Sequence, residues 1–188
     1  KEILGEAITD TLYHVSPANF TSFQQQSKTG PIASDVGFHF GTEDAARARI
    51  YQIKNDPRFN YKEGSPLYLY TVKLKSNKDL ELPENRLGSW SVNSLILAIF
   101  EAAEEGKVPE ITDEMLEQYY DDEIILPNGE NLLDMYNYEE EQIKDFVSWF
   151  TGVLGYDSIK YENKFEGGGE SYIVFDPAQI QIIKKEQI

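Results

Sequence analysis

The sequence contains no cysteine, which excludes disulfides, thiolate metal sites and a cysteine nucleophile together. Histidine is nearly as scarce. His14 and His39 are the two in 188 residues, and no H-E-x-x-H helix or neighbouring ligand spacing makes them a metal pair. Long apolar runs are also missing. The longest is LILAIF, residues 95–100, far short of the ~20 residues that span a bilayer, so no membrane association is expected. No signal-peptide pattern is present, and no G-x-S-x-G elbow points to a serine hydrolase. The stretch EGGGES (166–171) lacks the Gly-Lys-Ser/Thr ending of a phosphate loop and leads into a strand pattern, not a helix. A cysteine-free chain suits a reducing cytoplasm, and the start at Lys1 reads as a piece of a larger polypeptide.

Basic residues are in deficit as well, 17 against 33 acidic ones, for a net charge of -16. The deficit is local. Residues 101–145 hold sixteen Asp or Glu against Lys107 and Lys144, a net of -14. Such a block reads either as a solvated face that favours solubility or as a docking surface for a basic partner. Its charge would repel a nucleic-acid backbone.

What is present is a folding chain: 40% hydrophobic residues, with 12 Tyr and 10 Phe to bury. Residues 1–188 read as one α+β domain, with a helical insertion at about 89–152 expected to stand as a separate lobe on the core. The first part is strand-rich. Strands are predicted at 11–16 and 36–41, and a polar loop at 24–35. A helix follows over 42–55 with Thr42 as its N-cap. The next strand, 66–75, alternates Tyr68, Tyr70, Val72 and Leu74 on one half-buried face. Helices are predicted at 91–106, closed by Gly106, and at 112–120 and 138–155. Strands return at 156–162, 171–176 and 179–185.

Three stretches carry chemistry-bearing residues in a telling order: YHVS (13–16), GFHFGTEDAA (37–46) and ESYIVFDPAQI (170–180). Together they resemble the three-motif layout of ADP-ribosyltransferases, in the histidine-first branch that includes the poly(ADP-ribose) polymerases. The likeness is nearest to the ADP-ribosyltransferase domains of phage and mobile-element polyvalent proteins, and GYDSIKYEN (155–163) resembles these too. The first family strand carries His-Gly-Ser or His-Gly-Thr; here it is His14-Val15-Ser16. The second carries Gly-x-Tyr-Phe; here it is Gly37-Phe38-His39-Phe40. The last reads Glu-Tyr-Ile-Val-Tyr-Asp, and here Ser171 precedes Tyr172-Ile173-Val174-Phe175-Asp176, with Glu170 one residue earlier.

The resemblance implies split antiparallel sheets around a cleft for NAD, which is the substrate. It implies transfer of one ADP-ribose to a macromolecular acceptor, protein or nucleic acid, with release of nicotinamide. It also implies action in the cytoplasm, that of a host cell if the chain is phage-derived or effector-like. His14, His39 and Glu170 are the implied catalytic residues. Val15, through its main chain, and Ser16 would bind the dinucleotide, with Tyr51 as an aromatic wall and Ser171 at the carboxylate's place. Leaving-group departure builds positive charge on the ribose, as in glycoside hydrolysis, so a nearby carboxylate is the group such chemistry needs. Two departures stand out. His39 replaces a tyrosine, and Glu170 faces the opposite side of an ideal strand from residue 171. A bulge could re-aim Glu170, or Glu166 could swing in from the glycine loop. An active transferase and a module that binds NAD or ADP-ribose without turnover are both compatible with these departures.

Overall fold

The structure is a computed structural model that describes residues 7–24, 35–83, 90–134, 139–164 and 166–188. Nearly all of the loop expected at 24–35 therefore lies outside the described residues, as does the start of the expected insertion. The fold is mixed α+β, with two four-stranded sheets and four α-helices.

The first sheet is centred on β4 (Tyr68–Ser76), which pairs antiparallel with β1 (Ala7–Ile8), β2 (Leu12–Ser16) and β8 (Ile180–Gln187). Its alternation meets two environments. Tyr70, Val72 and Leu74 face one apolar cluster, while Leu69 faces another beneath α1 (Glu43–Asn55). The strand is thus covered on both faces at its start and not half-buried throughout, because α1 packs on the side that the pattern left unassigned. Thr42 caps α1 by accepting from the Ala45 amide, with Glu43 and Asp44 in the first turn. There the helix dipole favours negative charge.

The second sheet runs β3 (Phe38–Phe40), β7 (Glu170–Val174), β6 (Ser158–Glu162), β5 (Asp79–Leu82). It is not antiparallel throughout: β5 and β6 run parallel. The whole helical block connects them, and a parallel pair requires a crossover of this kind. β5 was not visible in the sequence because DLEL is four residues long and half acidic.

The helical block holds α2 (Val92–Glu104), α3 (Asp113–Tyr120) and α4 (Glu139–Gly152). The start and stop signals act as read. Ser91 and Thr112 cap α2 and α3, and Gly106 takes a positive φ just past α2. The expected separate lobe is not what forms. Leu95, Ile99, Phe100, Phe146, Trp149 and Phe150 share one buried cluster with Leu80, Ile159, Ile173 and Phe175 of the second sheet. An amphipathic helix must bury its apolar stripe, and the outer face of this sheet is the nearest apolar surface. The order of layers is α1, first sheet, second sheet, helical block, with Phe40 and Val174 meeting Tyr70 and Leu74 between the sheets. No helix among the described residues is long and apolar enough to cross a membrane.

Candidate functional site

The sheets join where the first two quoted stretches meet. Tyr13 of β2 and Gly41, just past β3, exchange both main-chain hydrogen bonds, at 2.8 and 3.0 Å. In an extended strand, alternate residues turn their N–H and C=O to the same edge. Val15 and His39 therefore face each other next along this seam, yet no bridge continues there among the described residues. The interruption has a cause. The His39 carbonyl, which would accept from Val15 in a continued ladder, instead accepts from Nδ1 of His14 at 2.9 Å. Past the bridge, the main chain of Val15 is turned toward the break.

His14 stands among aromatic rings, with Phe23 edge-on at 5.3 Å, Phe40 at 5.7 Å and Tyr70 at 6.3 Å. Donation from Nδ1 makes Nε2 an acceptor in the neutral ring. The segment that carries Phe23 is pinned over this cluster by Tyr70. Its hydroxyl donates to the Ala18 carbonyl at 2.8 Å and accepts from the Phe20 amide at 2.9 Å. Burial pushes the Tyr70 phenol up, so the hydroxyl keeps its proton and its role as donor.

His39 points to the other side of β3 from Phe38 and Phe40, and its Nε2 donates to the Val36 carbonyl at 2.8 Å. The two histidines thus share a backbone contact but present their rings on opposite faces. Ser16 accepts from the Ala18 amide in a local turn. The Val15 side chain is buried beneath α1. Tyr51 is 71% exposed on α1, so the structure does not bring its ring into the packed surroundings of the seam.

The register carries the row across to β7. Phe40 pairs with Tyr172 and Tyr161 with Ser171, so Tyr13, Gly41, Ser171 and Tyr161 occupy one face. Ser171 is buried, and a Cβ on Gly41 would come within 2.8 Å of its hydroxyl, so glycine is needed for this approach. Burial first, and then the nearby Glu166 charge, push the Tyr161 phenol up to about 12. Glu170 lies on the opposite face. It is exposed and ion-paired with Lys160 at 2.6 Å, a hydrogen bond that raises the lysine's pKa.

The glycine loop returns onto the Ser171 face. Asn163 closes it by donating its amide to the Gly169 carbonyl at 2.8 Å. Gly167, Gly168 and Gly169 all take positive φ, between 81° and 93°, a region that side chains disfavour. Thr42 donates to the Gly168 carbonyl at 3.2 Å, which ties the loop to the start of α1. Asn163 Nδ2 donates both to Glu166 Oε2 at 2.9 Å and to the Ser171 hydroxyl at 3.3 Å. Arg49 of α1 lies 3.7 Å from the other Glu166 oxygen. Asn163 and Arg49 are not in the quoted stretches. Only the three consecutive glycines signalled that the loop doubles back.

A shallow depression of about 500 Å³ lies between Lys54, Asp56, Asn60 and Lys62. It is at the far end of α1, roughly 18 Å from Thr42 at 1.5 Å per helical residue, so it is not part of the seam. Comparison with family models, curated proteins and solved structures returned no match.

Proposed function

We propose that the chain is a mono-ADP-ribosyltransferase that takes NAD as substrate and acts on a macromolecular acceptor. The observation that carries this reading is the interrupted ladder at Val15. A strand residue whose N–H and C=O both face a break offers one donor and one acceptor side by side, the complement of a carboxamide such as that of nicotinamide. Its setting also favours the reading: residues 14–16, 37–41 and 171–176, distant in sequence, border one seam. His14 Nε2, an acceptor in the neutral ring, suits a ribose hydroxyl.

In the reaction, the bond between ribose C1′ and the nicotinamide nitrogen breaks, and its electron pair neutralises the pyridinium. A nucleophilic atom of the acceptor bonds to C1′ and gives up its proton. The protein's task is to hold the ribose and oppose the positive charge that develops on it.

A second reading, binding of NAD or ADP-ribose without turnover, is favoured by one observation. Ser171 occupies the carboxylate's place, while Glu170 is paired with Lys160 on the opposite face. The experiment is incubation with nicotinamide-labelled NAD, with a thermal melt in parallel. A ligand at about a hundredfold its Kd stabilises by roughly 2.7 kcal/mol. A shift with label release supports transfer, and a shift without release supports binding alone. No shift and no release over a wide range of NAD concentrations overturns both.

A further inference from the structure

We infer that Glu166, held by Asn163, is the carboxylate that opposes the developing ribose charge, an inference that rests on the transferase reading. The face decides between the two acids. β7 alternates, so Ser171 and Ile173 share one side and Glu170 and Tyr172 the other. Glu170 could reach the Ser171 side only by leaving Lys160 and reversing the strand's mouth, and its charge is already met by that lysine.

Glu166 needs no such movement. Its carboxylate is one side chain away from Ser171, because a single amide nitrogen of Asn163 bonds to both. The same asparagine accepts from the Glu166 amide through Oδ1 at 3.2 Å, so it holds the residue by backbone and side chain together. Asn163 is itself buried. Arg49 stands on the α1 side of the carboxylate, which limits outward swing. The Glu166 side chain is only 26% exposed, and a charge in such partial burial acts more strongly on its neighbours than one in open water. As nicotinamide leaves with the bonding pair, the carboxylate faces the cationic C1′ from the Ser171 side and is itself unchanged at the end of the step. Asn163 is a positioning residue and does not touch the substrate.

The test measures nicotinamide release, KM for NAD and thermal stability for the parent chain, Glu166→Gln, Glu170→Gln and Asn163→Ala. Glu166→Gln should lower kcat by about a hundred- to a thousandfold with KM and melting temperature near the parent's. Asn163→Ala should lower kcat by roughly ten- to a hundredfold, since misplacement alone has costs of that order; restoring amide chemistry with Asn163→Gln should recover part of it. Parental kcat in Glu166→Gln, or a hundredfold loss in Glu170→Gln alone, overturns the inference and leaves the transferase reading standing. A parent that binds NAD but releases no nicotinamide overturns the transferase reading, and the inference with it.

Discussion

The helical block between β5 and β6 and the seam between β2 and β3 use sequence in opposite ways. The block carries most of the chain's negative charge on its outside and the largest aromatic cluster on its inside. The seam has little of either. It is made of an interrupted ladder, two glycine-dependent close approaches and a few polar side chains whose partners come from four elements. Composition describes the block almost completely and says nothing of the seam. Mass and charge in a sequence therefore locate its stability, while the candidate chemistry lies where backbone regularity is broken.

The sharpest way to break this contrast is inside the block. Trp149 is 2% exposed beside Phe100 and Phe146, so Trp149→Ala should cost about 3–5 kcal/mol in urea unfolding. Because the cluster continues into Ile173 and Phe175, a single transition is expected. Two transitions, with the sheets surviving the first, would show the block to be independent after all.

Glycines offer a matched pair. Gly169 has φ +89°, and an added Cβ would lie 2.5 Å from the Thr42 methyl. Gly106 has φ +75° with nothing within 4 Å. Alanine at both sites incurs the left-handed backbone cost of roughly 1–2 kcal/mol. Only Gly169→Ala should cost more than that, and only it should disturb the seam, read as lost protection of the Gly169-facing amide of Asn163 in hydrogen exchange. Equal costs would mean that the loop yields freely and does not hold Glu166.

A smaller effect joins the two regions electrostatically. Burial alone would raise the Glu110 carboxyl, but hydrogen bonds from Lys78 and from Tyr156, the latter at 2.5 Å, outweigh it and hold it below the usual carboxylate range. A lowered folded pKa contributes stability above the unfolded value of about 4.3 and loses it as pH falls through the folded value. Glu110→Gln should thus cost about 1 kcal/mol at pH 7, reduced by screening at the half-exposed Lys78, and almost nothing at pH 2.5. A penalty that persists at pH 2.5 would assign the effect to packing. Least of all should follow from Glu140→Gln with Glu141→Gln, within about 0.5 kcal/mol of the parent in thermal melts. If that acidic surface docks a basic partner, the pair of changes should instead slow association at low salt.

How far the sequence spoke for itself follows the same division. Caps and amphipathic stripes are local, so Thr42, Ser91, Thr112 and Gly106 were readable as helix ends, or close to them, to within a residue or two. β5 was not, since it gains its place only by pairing with β6, far along the chain. His14, Val15, His39 and Ser171 could be picked out because they belong to an ordered set of stretches. Asn163 and Arg49 belong to no stretch, and their roles arise from a loop closure and a helix face that meet only in three dimensions. The side on which Glu170 falls was foreseen from strand alternation, but its partner Lys160 was not, because cross-strand neighbours depend on register.

The pairing of strands has a consequence in time. β3, β4 and β5 lie within residues 38–82, yet β7, β8 and β6, their respective partners, all lie within 158–187. While the chain is being synthesised, β2 and β4 can form a hairpin-like pair and the helices can form turn by turn. Neither sheet can be completed, however, until the last thirty or so of these residues have left the ribosome. Contacts that join ends so far apart carry a large closure entropy and slow the search. In the interval, the apolar stripes of α2 and α4 have no sheet to cover them. The dense acidity of the same helices then acquires a use before the protein is folded, because like charges keep half-made chains apart while they wait for their final strands.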